Sequence, residues 1–457
     1  MTRFLKHLSP SLYPVVSFLL LILTGSLVLT FLPTRSGPGI SFIDALFMVT
    51  SASCVTGLTV LDIGTEFTLW GQLTLLACIQ LGGLGIMTFS TVMILALGRS
   101  ISFRSRFVVQ DVFAHSPRAD FHILLRRVIL FTAGIEAAGT LVLFIRFKDR
   151  LEFTDAWYSA AFHSISAFCN AGFSLFSDNL AGFRGDVLVN LTVTSLIILG
   201  GIGFMVLHEL VRSSRDWRSW SYFWNQLSLH SKIVLFTTGL LLVGGTLFFL
   251  VCEWSNTLKD LPLREKLLAS YFQSVTPRTA GFNTLDYGRM SNITLLGTVM
   301  LMFIGASPGS TGGGVKTSTM GVFLAIIRAR FKGSDHTHVF KRSIPEETIN
   351  RAFGTFVVSV CIVLLGTLGL LVSESAGVTL SQSRGQVIEL LFETTSAFGT
   401  VGLSMGITPK LSSWGKFILV LIMFTGRLGP LVIATAIQPA QQKTGRFYYA
   451  EERIMIG

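Results

Sequence analysis

Charge is what this sequence has least of. Only 13% of its 457 residues are Asp, Glu, Lys or Arg, against about 25% in soluble globular proteins. So few charges cannot cover a water-facing surface in the usual way. Half of the chain is hydrophobic, and its mean hydropathy is +0.63. Many apolar stretches reach the roughly 20 residues that cross a bilayer. The composition is that of a polytopic membrane protein. Leu12 to Leu32 is too long for a signal peptide and has no small-residue cleavage site, so it reads as a retained span. Cysteine is also scarce. The five cysteines give no disulfide framework. Cys78, Cys252 and Cys361 lie within or at the ends of apolar spans, where a thiol is a small hydrophobe. Cys54 and Cys169 each stand three positions before a glycine and read as small packing residues. They lack the convergent partners that metal binding needs. Nor does the chain carry a convergent His/Asp/Glu set or a nucleophile motif, which argues against a membrane enzyme.

The net charge of +11 would suit nucleic acid, but its distribution does not. Basic residues gather in Arg99 to Arg127, Arg212 to Lys232, Arg328 to Arg351 and the two termini. That is the positive-inside bias, and it puts both termini in the cytoplasm.

Four glycine stretches stand out, about 110 to 120 residues apart: CVTGL around Gly57, CNAGF around Gly172, RTAGF around Gly281 and TVGL around Gly402. An aromatic lies ten residues before each glycine: Phe47, Phe162, Tyr271 and Phe392. A serine lies six before it in three cases (Ser51, Ser166, Ser396), with Val275 departing. These polar stretches are too short to span a bilayer but can enter and turn back. Apolar spans flank them. The first spans run 12–32, 125–147, 231–252 and 353–373, and the second spans run 70–97, 187–210, 292–328 and 414–437. A second glycine recurs in the second spans, at Gly82, Gly200, Gly305 and Gly426. The pattern predicts an all-α membrane protein of four helix–pore loop–helix units, 1–98, 99–211, 212–330 and 331–457, arranged pseudo-fourfold around one pore.

A cation leaving water needs oxygen ligands, and backbone carbonyls supply them without a full charge that would trap the ion. Turning successive carbonyls inward demands backbone angles that glycine permits. The preceding short helices would aim their negative C-terminal ends at the pore. The expected filter is Val55, Thr56 and Gly57, with Asn170, Ala171 and Gly172, Thr279, Ala280 and Gly281, and Thr400, Val401 and Gly402. Arg278 would repel cations if it faced the path. It is expected to point behind the filter, to a carboxylate such as Asp286 or Glu265.

The third unit's second span is interrupted by GASPGSTGGGVKTST, residues 305–319, with five glycines and Pro308. No continuous helix would contain it. Gly305, Ala306, Ser307, Pro308, Gly309, Ser310, Thr311, Gly312, Gly313 and Gly314 read as a plug below the filter that moves to open the pore. The competing reading is a structural break at a bend. It is not a phosphate-binding loop: Val315 separates Gly314 from Lys316 and Thr317, and no strand precedes it. Arg427, at the position equivalent to Gly83 and Gly201, is a costly charge at membrane depth. It reads as an electrostatic barrier and loop anchor, against an ion pair between helices. Lys316 either joins that barrier or snorkels to the surface. Glu136, inside the second unit's first span, is either an interhelical hydrogen-bonding group or a regulatory cation site.

These loops, the four units and the interrupted third unit resemble the Trk/Ktr/HKT superfamily of potassium transporters, in particular its Ktr-type membrane subunits, over essentially the whole chain. Trk-type members usually carry two further N-terminal spans, and the direct start of this chain favours the Ktr type. The resemblance implies K+ bound through filter carbonyls, because glycine in all four loops goes with potassium and serine in the first loop with sodium. It implies that residues 305–319 are an intramembrane gating loop, with Arg427 beside it. It also implies a homodimer with one pore per subunit, stimulation by Na+, and a cytosolic KtrA-like ring of RCK subunits that binds ATP or ADP. The basic segments 99–127, 212–232 and 328–351 would dock that ring and touch anionic lipid. The alternative is a Na+-coupled secondary transporter with alternating access, where broken helices also occur.

Overall fold

The computed structural model describes residues 12–35, 37, 39–84, 121–215, 218–334, 336–374 and 380–429. The expected continuation of the first unit's second span to residue 97, most of the basic segment 99–127, the end of the last span and both termini lie outside these residues.

One order of elements recurs four times. α1 (Leu12–Phe31) leads to the short α2 (Phe42–Ser53), a single turn α3 (Ile63–Glu66) and α4 (Leu69–Gly83). α5 (Phe121–Phe147) leads to short α6 (Phe153–Phe168), α7 (Val187–Ile202) and α8 (Phe204–Arg215). After α9 (Trp220–Gln226), α10 (Leu229–Cys252) leads to short α11 (Leu263–Val275), α12 (Asn292–Phe303) and α13 (Thr317–Phe331). A two-residue hairpin, β1 (His338–Val339) against β2 (Arg342–Ser343), precedes α14 (Glu346–Glu374), short α15 (Leu380–Gly399) and α16 (Ser413–Leu428).

Among the described residues, three helices are long and apolar enough to cross a membrane alone: Val128–Phe147, Leu229–Cys252 and Glu346–Glu374. At about 1.5 Å per residue, their 20, 24 and 29 residues reach or exceed the roughly 30 Å apolar core. Their outward faces are apolar; on α10, Leu240, Val243, Leu247 and Val251 are all exposed. The second span expected over 187–210 is instead two helices, α7 and α8, bent by 102°. The break falls at Gly203, whose φ of 97° is a left-handed value that residues with a Cβ resist. The other broken span, α12 to α13, is interrupted where the sequence predicts.

The sequence sets these boundaries locally. Asp186, Ser291 and Ser412 cap the second spans by accepting N–H groups of the first turn, which satisfies donors a helix start leaves orphaned. Two of these caps are themselves held by a carboxylate at the end of the preceding long helix. Glu253 Oε1 accepts from Ser291 N and Oγ, both at 3.0 Å. Glu374 accepts from Ser412 N at 3.2 Å and Oγ at 2.7 Å. Burial pushes the Glu253 carboxyl up, yet the Thr294 hydroxyl, the Ser291 N–H and the Thr257 and Ser291 hydroxyls outweigh it. They hold it below the ordinary carboxylate range.

Each long first helix packs on the short helix that follows it: α1 on α2, α5 on α6, α10 on α11 and α14 on α15. The next contacts run in one direction. α4 packs on α6, α7 on α11, α12 on α15, and α16 returns to α2. The packing therefore closes on itself, with the short helices inside. Their aromatics Phe47, Phe162 and Phe392 are fully buried in the core around them. Tyr271 is half-buried.

Candidate functional site

Three of the short helices end where a glycine stretch begins, and α11 ends two residues before its own, so their carbonyl ends, which carry partial negative charge, face the loops. In each loop two residues take left-handed backbone: Val55 and Gly57, Asn170 and Gly172, Thr279 and Gly281, Thr400 and Gly402, with φ between 49° and 98°. The intervening residue keeps negative φ. Alternation of this kind turns successive peptide planes so that their carbonyls share a direction. Glycine makes the second left-handed residue easy. At Val55, Thr279 and Thr400 it is a strained conformation for a β-branched residue, costing about 1–3 kcal/mol each and kept only where the surroundings impose it. All three side chains are fully buried.

The loops touch in cyclic order. A β-carbon at Gly57 would lie 2.5 Å from the Ala171 carbonyl oxygen, one at Gly172 2.6 Å from that of Ala280, and one at Gly281 2.5 Å from that of Val401. A β-carbon at Gly402 would collide with the Thr56 carbonyl oxygen. Every glycine thus meets the residue preceding the next loop's glycine, and the fourth meets the first.

Hydroxyls tie each loop to its helix. Ser51 Oγ and Ser396 Oγ accept from Gly57 N and Gly402 N, both at 3.1 Å. Ser166 Oγ donates to the Phe173 carbonyl at 2.8 Å. The departure at Val275 is made good one residue later, where Thr276 Oγ1 donates to the equivalent carbonyl, that of Phe282, at 2.5 Å.

The second-span glycines are contact points. β-carbons at Gly82, Gly200 and Gly426 would collide with the carbonyl oxygens of Ser53, Phe168 and Phe398, each four residues before a loop glycine. One at Gly305 would collide with that of Gly313, inside the interrupted segment. A backbone carbonyl fixed by a helix cannot retreat. Gly200→Ala and Gly426→Ala are therefore expected to cost the folded protein about 1–3 kcal/mol or more. Gly134→Ala, with nothing within 4 Å, should be neutral. Thermal melting of the purified protein checks both expectations.

Residues 304–316 lie across the loops between α12 and α13. Gly313 N donates to Thr400 Oγ1 at 2.9 Å, and a β-carbon at Gly312 would collide with Thr279 Oγ1. The Asn170 amide, oriented to donate to the Ile197 and Ala167 carbonyls, accepts from Thr279 Oγ1 at 3.0 Å. The break at Gly203 serves the same segment. It leaves the Gly200 and Gly201 carbonyls free to accept from Thr311 N at 3.2 Å and Ser307 N at 3.0 Å, while Phe204 N donates to the Gly309 carbonyl at 3.0 Å. Inside the segment, Ser307 Oγ and Thr317 Oγ1 lie 2.7 Å apart, and Gly305 N donates to the Val315 carbonyl at 2.8 Å. Pro308 packs its carbonyl at Gly203, 2.5 Å from where a β-carbon would stand. Ala306 and Gly314 are buried and half-buried within the turn, and Ser310 Oγ donates to the Ser307 carbonyl at 2.6 Å.

Arg427 is buried. Its guanidinium donates to the Thr311 and Gly82 carbonyls, and no carboxylate pairs with it among the described residues. It joins the interrupted segment to α4 rather than forming an ion pair between helices. Lys316 does not snorkel: its Nζ donates to the Gly312 carbonyl at 2.8 Å. Arg278 is buried and its Nη2 donates to Thr238 Oγ1 of α10 at 3.2 Å. The expected carboxylate partners are engaged elsewhere, Asp286 with Arg289 at 3.4 Å and Glu265 with Arg184 at 3.7 Å. A hydroxyl of the flanking helix serves instead. Glu136 bonds between helices, accepting from Gln80 Nε2 at 3.2 Å.

Comparison with known proteins is consistent along the chain. The family described as TrkH, cation transport protein, matches residues 11–444. The chain is similar to the Ktr system potassium uptake protein B of Bacillus subtilis (strain 168), with 41% identity over 94% of each protein. It is also similar to the potassium/sodium uptake protein NtpJ of Enterococcus hirae, at 36% identity over 100% of this chain and 99% of the relative. Its fold matches the potassium transporter TrkH of Vibrio parahaemolyticus with a TM-score of 0.73 at 19% identity, covering 95% of this chain and 86% of that one. With the apolar helices, these likenesses make this a membrane transport protein. More particularly, the chain belongs to the TrkH family of cation transport proteins, the family its glycine loops resemble.

Proposed function

We propose that the chain is the ion-translocating subunit of a Ktr-type potassium uptake system. Its four units surround one pore in pseudo-fourfold order, and the loops at Gly57, Gly172, Gly281 and Gly402 form a K+ filter of backbone carbonyls. The observation that carries this reading is the cyclic contact of each loop glycine with the next loop's carbonyl. Four left-handed glycines meeting in a closed ring bring backbone oxygens from four chain segments together, as a dehydrated cation requires. Its relatives, a potassium uptake protein and a potassium/sodium uptake protein, support K+ as the cargo.

Residues 305–319 are the gate in this reading, held shut by Arg427 and the Gly200 and Gly201 carbonyls. The protein resides in a bacterial inner membrane with both termini in the cytoplasm. It works as a homodimer stimulated by Na+, under a cytosolic RCK ring that binds ATP or ADP. Support for those finer points is the resemblance and the basic segments, and each is testable.

Potassium uptake by a transport-deficient cell, with and without a coexpressed nucleotide-binding partner, tests the whole. The expected result is potassium-limited growth restored by the chain and increased by the partner. No uptake in either case would overturn it. The alternative, a Na+-coupled transporter, draws support from the two broken spans. It predicts potassium uptake that stops, rather than merely slows, without sodium.

A further inference from the structure

Three large polar side chains on the short helices, His163, Gln273 and Glu393, are fully buried. Each stands three residues before the hydroxyl that ties its short helix to its loop, Ser166, Thr276 or Ser396. It therefore shares that hydroxyl's helix face. In the first unit the same position is Met48, also fully buried.

All three reach past their own loop to the chain leaving it. His163 Nε2 lies 2.9 Å from Ser174 Oγ, while its Nδ1 lies 2.7 Å from the Ser159 carbonyl. Tyr287 donates its hydroxyl to Gln273 Oε1 at 2.7 Å. Thr408 donates to Glu393 Oε1 and lies 3.0 Å from Ser404 Oγ. Tyr287 and Thr408 correspond closely. Each is six residues after its loop glycine and opens a 3-10 turn, Tyr287–Arg289 and Thr408–Lys410.

These groups are costly. Gln273 Nε2 and Glu393 Oε2 are buried without a partner among the described residues, and a buried polar atom left without a hydrogen bond costs about 1–3 kcal/mol. Met48 shows that an apolar side chain fills the place. Three polar choices out of four, each aimed at the departing chain, call for a use that outweighs the cost.

We propose that His163, Gln273 and Glu393 are positioning residues that clamp the second, third and fourth glycine loops from behind, with Glu393–Thr408 as the strongest clamp. The proposal rests on the filter reading given above. A glycine loop hydrogen-bonded only through its own backbone can rotate its peptides; one fastened at both ends cannot. Discrimination between K+ and Na+ depends on the spacing and number of carbonyls the ion meets. Loosening a clamp therefore lets the carbonyls close around the smaller ion.

The test uses the full-length protein in a transport-deficient cell, reading the ratio of potassium to sodium uptake and the amount of folded protein. Thr408→Val and Tyr287→Phe keep shape and remove only a hydroxyl. Each is expected to lower the ratio by about threefold to tenfold, the equivalent of one hydrogen bond, at unchanged protein level. Glu393→Gln keeps an acceptor for Thr408 and should stay within about twofold of the parent. Glu393→Ala combined with Thr408→Val should be no worse than either alone, since both remove the same bond. A purely structural role would lower the protein level and leave the ratio alone. An unchanged ratio in Thr408→Val and Tyr287→Phe, with Gly57→Ser lowering it in the same assay, overturns the clamp and spares the filter. An unchanged ratio in all three overturns both.

Discussion

Gly57→Ser is expected to reduce discrimination of potassium over sodium by about tenfold or more, the equivalent of roughly 1.4 kcal/mol. Two effects act together. The φ of 98° at Gly57 is one that L-residues rarely adopt, and forcing it costs about 1–3 kcal/mol. The new β-carbon would also lie 2.5 Å from the Ala171 carbonyl and 3.3 Å from the Cα atoms of Gly172 and Gly402. The first and second loops must therefore rotate apart, moving the carbonyls on either side, and the serine hydroxyl adds an oxygen that the glycine ring lacks. Gly333→Ser separates the two effects. Gly333 is also left-handed, with a φ of 64°, but has nothing within 4 Å of its β-position and lies away from the loops, so the ratio of uptake should not change there. Potassium and sodium uptake by the same transport-deficient cells measures both variants. An unaltered ratio for Gly57→Ser would remove the filter assignment.

Much of this site was legible in the sequence because glycine and proline have few reasons to repeat in register. The four loop glycines and the interrupted span both announced themselves through backbone chemistry. The second-span glycines did too, although the sequence could not say what each one touched. Other features had no such signature. Left-handed Val55, Thr279 and Thr400 are invisible because no local preference favours them, and the closed ring of neighbours imposes the conformation; of the four, only Asn170 is a residue type that adopts it readily. The bend at Gly203 was hidden inside LGGIGF, which reads as one apolar helix until the 305–319 segment claims its carbonyls. The replacement of serine by Thr276 needed the one-residue shift of the third short helix, a register change that counting from Gly281 conceals. Arg278 failed for a different reason. Sequence reasoning paired a buried charge with a carboxylate, whereas the tertiary packing offered the Thr238 hydroxyl. The tier of His163, Gln273 and Glu393 carried a signal, a polar residue three before each anchoring hydroxyl, but only once the hydroxyls themselves were known.

Neutralising Arg427 is expected to raise potassium flux through the isolated membrane subunit by about tenfold. The guanidinium donates to the Thr311 carbonyl in the interrupted segment and to the Gly82 carbonyl of α4. Among the described residues, other ties from residues 305–319 to the rest of the chain that involve a side chain are Thr400, through Gly313 N, and Thr311 Oγ1, which donates to the Phe168 carbonyl. Hydrogen bonds to a charged donor contribute about 1.5–3 kcal/mol each, and a shift of that size in the balance of closed and open states changes the open population by tenfold or more. Arg427→Gln keeps an amide donor but loses the fork that spans both carbonyls. At least one of them can then be satisfied only by water, which favours the segment withdrawn from the loops. Removing the positive charge also lowers the barrier to a cation passing it, so both effects act in the same direction. Shortening the turn by deleting Gly312 and Gly313 tests the obstruction with the Arg427 charge left in place. Those residues sit against Thr279 and Thr400, and without them the segment cannot reach the loops while Arg427 remains. Rubidium uptake into vesicles containing the purified subunit reads both variants. Flux that falls or stays level in protein that still folds and melts normally would show that residues 305–319 brace the bend instead of closing the path.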